Sequence, residues 1–129
     1  MSAKVLVADD EAHILHVVSM KLTNAGYEVF TAVDGEEALE LARAERPDVV
    51  ITDYQMPVMT GLEMCKQLRK SDQTARIPAI MLTARGFDLE PADMTEAGIV
   101  MVLTKPFSPR EVLAKVEEVL SRQTAAAAE

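Results

Sequence analysis

Several polar side chains whose chemistry suits a metal ion or a phosphate stand at the ends of short apolar runs in the sequence. Three are the carboxylates of Asp9, Asp10 and Asp53, and the other two are the hydroxyl of Thr83 and the ammonium of Lys105. Close carboxylates repel one another by about 4 kcal/mol per pair at an effective dielectric constant of about 20, so a cation must offset them. An oxygen-only ligand set suits a hard divalent ion, and an open site that keeps its waters favours Mg²⁺ over Ca²⁺. These residue types therefore predict a magnesium site, provided that the fold gathers them.

Five short apolar runs predict the strands that would position these side chains. The runs are rich in Val, Ile, Leu or Met, and their lack of strict alternation indicates strands that are mostly covered on both faces. We expect strands over residues 4–8, 29–32, 49–52, 79–82 and 99–103.

Amphipathic stretches between the strands predict five helices. The first has apolar residues at three- and four-residue spacing and ends at Gly26. Three others begin with a cap residue followed three positions later by glutamate, at Asp34–Glu37, Thr60–Glu63 and Ser108–Glu111. We expect the second helix to stop before Pro47, the third and fifth to cover roughly 61–70 and 109–122, and a short, loosely packed fourth to start near Pro91.

Strands that alternate with helices predict an α/β fold, a doubly wound five-stranded parallel sheet of flavodoxin-like order 2-1-3-4-5 with five flanking helices. Ligands of such sheets bind outside the carboxyl ends of the strands, where the strand order reverses. This order brings the carboxylates, the hydroxyl and the ammonium into one crevice. The competing interpretation is that each aspartate merely caps the helix that follows it.

Length and composition indicate one intracellular domain. The 129 residues, 49% of them hydrophobic, fit one globular domain, which we assign to residues 1–123. Residues 124–129, with four consecutive alanines, are then a tail or the start of a linker. The single cysteine, Cys65, excludes an internal disulfide, and no Cys/His cluster has zinc-ligand spacing. A reducing cytoplasm is the simplest location.

Charge and hydropathy exclude two classes of partner. A net charge of −8 opposes attraction to nucleic-acid phosphates, and 4% aromatic residues without tryptophan leave few surfaces on which bases could stack. No apolar run approaches the roughly 18 residues that span a bilayer. We therefore expect neither direct nucleic-acid binding nor membrane insertion.

The motifs, taken together and in order, resemble those of the receiver domain of two-component response regulators, the chemotaxis-regulator type. The likeness covers the chain from about Lys4 to Arg122. The matching motifs are Asp9-Asp10 after an apolar strand, Asp53-Tyr54-Gln55-Met56-Pro57 followed by Gly61, Thr83-Ala84, and Lys105-Pro106-Phe107.

The resemblance implies a phosphorylation-dependent signalling switch. Asp53 would accept a phosphoryl group from the phosphohistidine of a histidine kinase or histidine phosphotransfer protein, with Thr83 and Lys105 contacting the phosphoryl oxygens. Asp10, Asp53 and the backbone carbonyl of Gln55 would bind Mg²⁺, and Asp9 would act directly or through a water. The domain would assist only its own phosphorylation and dephosphorylation, and its output would be a downstream protein or an output domain of its own chain.

The sequence departs from the family pattern at one position that matters for switching. The family usually has an aromatic residue three positions before the lysine, and this chain has Val102 there. Gln55 and Arg85 occupy the two variable positions beside the phosphoryl site, at which family members tune hydrolysis.

Two other functions and one other context remain as alternatives. A haloacid-dehalogenase-like phosphatase also uses an aspartyl nucleophile and Mg²⁺, but its nucleophile lies in an Asp-x-Asp motif after the first strand, where this chain has Asp9-Asp10-Glu11. The same three acids would repel the phosphate of an FMN carrier. Within the receiver interpretation, the chain is either a stand-alone regulator or the receiver fragment of a larger regulator or hybrid kinase.

Overall fold

The computed structural model describes residues 2–84 and 89–128, with side chains up to residue 123. In this part of the chain, five parallel strands form one sheet in the order β2-β1-β3-β4-β5. The strands are β1 (Lys4–Ala8), β2 (Glu28–Ala32), β3 (Val49–Asp53), β4 (Ala79–Thr83) and β5 (Ile99–Thr104). The helices are α1 (Ala12–Asn24), α2 (Gly35–Glu45), α3 (Gly61–Leu68), α4 (Pro91–Ala97) and α5 (Pro109–Ala128). The predicted fold class and strand order are confirmed.

Helices cover both faces of the sheet, which explains why the central strands are apolar throughout. Every residue of β3 and β4 is buried. On one face the strands pack against α2, α3 and α4 through residues such as Leu39, Met64 and Ala97. On the other face they pack against α1 and α5 through residues such as Leu22 and Val116. The sheet is therefore a rigid base for the loops at its carboxyl edge.

Three predicted caps fix the helices that leave this edge. The Asp34 side chain accepts a hydrogen bond from the Glu37 amide at 2.8 Å, and Thr60 accepts one from the Glu63 amide at 3.1 Å. At α5 the capping box is complete, because Ser108 Oγ accepts from the Glu111 amide and Glu111 Oε1 accepts from the Ser108 amide, both at 3.1 Å. Each cap satisfies amides that would otherwise lack partners at a helix start.

Two helix ends differ from the expectation. α3 ends at Leu68, and the guanidinium of Arg69 donates hydrogen bonds to the carbonyls of Cys65, Ala75 and Ile77, which turns the chain back toward β4. α5 continues to Ala128 rather than stopping near 122, because alanine has the highest helix propensity. No helix in the described residues, α5 included, is long and apolar enough to cross a membrane.

α4 has the short length that the sequence predicts. It begins at Pro91 and has seven residues, of which Ala97 is buried. Two ion pairs join it to α3, from Lys66 Nζ to Asp93 at 2.9 Å and to Glu96 at 3.5 Å. Exposed pairs of this kind contribute little to stability, so the attachment of α4 depends mainly on the packing of Ala97 and Met94 against the core. The part of the predicted segment before Leu89 lies outside the described residues.

Candidate functional site

The carboxyl ends of β1 and β3 bring three acidic side chains together. Ala8 pairs with Thr52 in the parallel register, so Asp9 and Asp53 leave the sheet side by side. Carboxylate oxygens of Asp9, Asp10 and Asp53 lie within 4.8 Å of one another. Asp9 is fully buried, Asp53 is 7% exposed and Asp10 is exposed. This group is an acidic pocket that could bind a metal ion.

Lys105 brings a positive charge to the same place from the end of β5. Its ammonium lies 3.4 Å from Asp9 Oδ2, 3.4 Å from Asp53 Oδ1 and 3.2 Å from Glu11 Oε1. The Lys105 backbone amide donates a 2.7 Å hydrogen bond to the carbonyl of Thr83, which ties the loop after β5 to the end of β4. The ammonium therefore offsets part of the repulsion among the carboxylates.

Burial and crowding shift the protonation of these groups. Burial, together with the negative charge of Asp9, raises the pKa of Asp53 to about 6, although Lys105 opposes the shift. Burial also raises the pKa of Asp9 above its ordinary value, more than the Glu11 amide and Lys105 lower it. Burial lowers the pKa of Lys105, but the carboxylates of Asp9, Asp53 and Glu11 outweigh it and the net shift is upward. The pocket thus has more negative charge than Lys105 alone neutralises.

Two buried oxygen atoms at the carboxyl ends of β1 and β4 lack hydrogen bonds to any residue that the structure describes. They are Asp9 Oδ2, which has only the ion-pair contact with Lys105, and Thr83 Oγ1. Buried polar atoms normally have partners, so such a pair points to groups that bind there. A carboxylate oxygen suits a cation, and a hydroxyl can donate to an anionic oxygen. The residues present therefore fit both a divalent metal ion and a phosphoryl group.

A cavity of about 260 Å³ opens above these residues. It is lined by Asp10, Glu11, Asp53, Tyr54, Gln55, Ala84 and Lys105. Gln55, a predicted ligand through its backbone carbonyl, is exposed and lines the cavity, whereas the Thr83 side chain is buried. The structure thus brings the three aspartates and Lys105 together with Gln55 beside them, and it places Thr83 at the end of the neighbouring strand β4.

Sequence reasoning missed the contact between Glu11 and Lys105, which are 94 positions apart. A signal was present, since glutamate stands at the N-cap of α1, where Ser, Thr, Asp or Asn is preferred. A charged residue that occupies the N-cap position without making the capping hydrogen bond can use its side chain for another contact.

Gly61 allows α3 to start against the backbone of β3. Its amide donates a 2.9 Å hydrogen bond to the Tyr54 carbonyl. A Cβ at this position would collide with the Asp53 carbonyl oxygen and would crowd Thr52 Oγ1. A side chain here would therefore displace the backbone that carries Asp53.

The sequence matches a family model over residues 5–117, and that model describes the response regulator receiver domain. The chain belongs to this family. Receiver domains are regulatory modules of two-component systems that interact with a kinase and with downstream targets, and a phosphorylation switch is consistent with this membership. The comparisons give no support to a phosphatase.

Individual relatives agree with this assignment of the receiver domain. The alkaline phosphatase synthesis transcriptional regulatory protein PhoP of Bacillus subtilis is 44% identical over 127 residues, which are 98% of this chain and 52% of that protein. The chain spans about half the length of the curated relatives that it matches. Among solved structures, the chemotaxis response regulator CheY4 of Vibrio cholerae has a TM-score of 0.84 and 42% identity, covering 92% of this chain and 99% of that chain. A putative response regulator from Chloroflexus aurantiacus has a TM-score of 0.85 and 35% identity, covering 94% and 99%.

The receiver domain keeps its unusual residue before the lysine in an exposed position. Val102 is 38% exposed and pairs with Met81 on β4. Valine has neither a ring nor a polar atom with which to follow a movement of Thr83. Arg85, at one of the two variable positions beside the predicted phosphoryl site, lies outside the described residues.

Proposed function

We propose that Asp53 accepts a phosphoryl group from the phosphohistidine of a histidine kinase or histidine phosphotransfer protein. An Asp53 oxygen bonds to phosphorus as the P–N bond of the donor breaks, and the imidazole nitrogen keeps the bonding electrons. The observation that carries the proposal is the contact between the nearly buried Asp53 and the Lys105 ammonium at 3.4 Å, in a cavity that a donor can enter. A cation in this position meets negative charge on the transferring oxygens, the main requirement of phosphoryl transfer.

The proposal assigns a Mg²⁺ site to Asp10, Asp53 and the backbone carbonyl of Gln55, with Asp9 binding directly or through a water. The oxygen-only residues support this assignment, and so does Asp9 Oδ2, which is buried and accepts no hydrogen bond from a described residue. A bound Mg²⁺ would offset the negative charge of the carboxylates and of the phosphoryl oxygens. Asp9 and Asp10 contribute charge for the ion, and Asp53 contributes the oxygen that forms the new bond.

Thr83 is proposed to sense the phosphoryl group. Its buried hydroxyl lacks a hydrogen bond to any described residue, so it can donate one to a phosphoryl oxygen without breaking an existing contact. The group adds about −1.5 to −2 charges at Asp53. Lys105 and Thr83 are linked through the backbone and follow this charge together. We propose that their movement passes through the ends of β4 and β5 to the short helix α4, without an aromatic side chain at position 102.

The remaining features of the proposal concern the context of the domain. We propose that residues 1–123 are the receiver unit, that it is located in the cytoplasm, and that its chemistry is restricted to its own phosphorylation and dephosphorylation. The output is a downstream protein or a further domain, since the similar proteins include a transcriptional regulatory protein and a chemotaxis response regulator.

Asp10→Asn tests the metal site. We expect Mg²⁺ affinity to fall about tenfold or more, since changes even to residues behind a ligand cost about 10–100-fold. The metal-free protein should become slightly more stable, because one of three close charges is lost. Isothermal titration calorimetry and thermal unfolding measure the two effects, and Asp72→Asn, in an exposed turn, is the matched control. Unchanged affinity, or a metal-free protein that loses stability, would show that Asp10 is a structural cap.

Phosphate uptake by the wild-type protein tests whether the reaction needs the metal ion. Wild type incubated with acetyl phosphate and Mg²⁺ is expected to gain the mass of one phosphoryl group, and a chelator should suppress this gain. Uptake that is equal with and without the chelator would contradict the proposed role of the metal ion.

A further inference from the structure

Glu11 is the third carboxylate in contact with Lys105, and the proposed function leaves it without a role. Of the three acidic contacts that the ammonium makes within residues 2–84 and 89–123, the one with Glu11 is the shortest, at 3.2 Å, and it has hydrogen-bond geometry. Asp9 and Asp53, at 3.4 Å, belong to the proposed metal and phosphoryl chemistry. Glu11 itself lies outside the group of carboxylates that could hold a metal ion.

Local structure holds Glu11 in reach of Lys105. Its backbone amide donates a 2.9 Å hydrogen bond to Asp9 Oδ1, which fixes its main chain beside the acidic pocket. It is the N-cap residue of α1, yet its side chain makes no capping hydrogen bond within the described chain and extends to the ammonium instead. The side chain of Glu11 is 59% exposed and lines the cavity that a phosphoryl donor must enter.

These contacts place two negative groups, the Glu11 carboxylate and a phosphoryl group on Asp53, beside one cation, the Lys105 ammonium. A phosphoryl group on Asp53 attracts the Lys105 ammonium, which already donates to Glu11. The carboxylate of Glu11 also faces the cavity and repels an incoming phosphate.

We propose that Glu11 is a positioning residue that competes with the phosphoryl group for the Lys105 ammonium and thereby slows phosphorylation of Asp53. The inference rests on the proposed function, because it concerns the same reaction. Glu11, the residue after the aspartate pair, thus helps to determine how fast Asp53 is phosphorylated.

Glu11→Gln tests the competition. We expect the rate constant for phosphate uptake from acetyl phosphate with Mg²⁺ to rise about two- to fivefold, the range that an exposed ion pair supports. The difference from wild type should shrink at high salt, because added ions screen an exposed pair. A merely structural role would not give this salt dependence. Glu40→Gln, on the exposed surface of α2, is the matched control and should keep the wild-type rate.

Glu11→Asp separates the contact with Lys105 from the charge at the cavity. Aspartate keeps the charge but has a shorter side chain and favours the N-cap hydrogen bond, so it should release Lys105 and raise the rate as Glu11→Gln does. In the metal-free protein, the ammonium protons of Lys105 should exchange with water faster in both variants than in wild type, and NMR measures this exchange. This measurement is independent of phosphorylation.

The outcomes distinguish this inference from the proposed function. Equal uptake rates in wild type and both Glu11 variants, or a wild-type rate in Glu11→Asp alone, would overturn the competition while leaving Asp53 as the acceptor. A slower rate in Glu11→Gln would also overturn it. Absence of uptake in wild type would overturn both the proposed function and this inference.

Discussion

Replacing Asp53 with asparagine is expected to abolish phosphate uptake and, at the same time, to stabilise the metal-free protein. The amide cannot form the acyl phosphate, so intact mass after incubation with acetyl phosphate and Mg²⁺ should show no added phosphoryl group. Stability rises because burial and the charge of Asp9 disfavour the ionised carboxylate in the folded protein, which raises the pKa of Asp53 to about 6. From its ordinary pKa of 3.8, the shift corresponds to roughly 2–3 kcal/mol of unfolding free energy.

The sign of this effect with pH is fixed by linkage. The folded state binds the Asp53 proton more tightly than the unfolded state, so wild type loses stability as pH rises from about 4 to about 6. The advantage of Asp53→Asn should therefore be complete above about pH 7 and should shrink toward pH 4. Chemical denaturation across this range measures it, with Asp72→Asn as the control. A variant that still takes up phosphate, or that is less stable than wild type at neutral pH, contradicts the account.

Lys105→Met is expected to lower metal-free stability and to slow phosphate uptake by at least tenfold. The substitution removes the cation that contacts the buried Asp9 and Asp53, and it leaves both carboxylates without compensation. Removing one partner of a buried ion pair costs about 3–5 kcal/mol, and the partial exposure of Lys105 reduces this to roughly 2–3 kcal/mol. Mg²⁺ should restore part of the stability, since a bound cation takes over the same electrostatic role.

Lys115→Met, on α5, is the matched control and should leave uptake unchanged and stability within about 0.5 kcal/mol of wild type. Unfolding curves with and without Mg²⁺ and the time course of intact mass measure both effects. If Lys105→Met takes up phosphate at the wild-type rate, the ammonium has no part in the reaction.

The arrangement of the site follows from the sequence to a large extent, because a small number of physical rules determine where its residues lie. Apolar runs that end in aspartate specify parallel strands whose carboxyl ends share one edge, and Asp9 and Asp53 lie side by side there. Capping spacing located the starts of α2, α3 and α5 to the residue, since each cap satisfies backbone amides nearby in sequence. Sequence patterns therefore predict best the interactions between residues that are close together in the chain.

The features that the sequence did not predict depend on contacts between residues far apart in the chain, or on small preferences with no sharp boundary in the sequence. The hydrogen bond between Glu11 and Lys105 joins residues 94 positions apart and depends on the rotamers of two long side chains. The extension of α5 to Ala128 depends on propensity added at the end of an existing helix, which carries no distinct stop signal. Strands β3, β4 and β5 reach one residue further than expected, to Asp53, Thr83 and Thr104, because ladder hydrogen bonds continue past the last apolar side chain.

The most direct test of the account maps the phosphorylated residue chemically. An acyl phosphate is reduced by sodium borohydride to the alcohol, so a phosphorylated aspartate becomes homoserine and peptide mass spectrometry identifies its position. After incubation with acetyl phosphate and Mg²⁺, the account predicts homoserine at residue 53 and unmodified aspartate at Asp9 and Asp10. Homoserine at residue 9 or 10, or phosphate uptake with no homoserine at residue 53, would contradict the claim that Asp53 accepts the phosphoryl group.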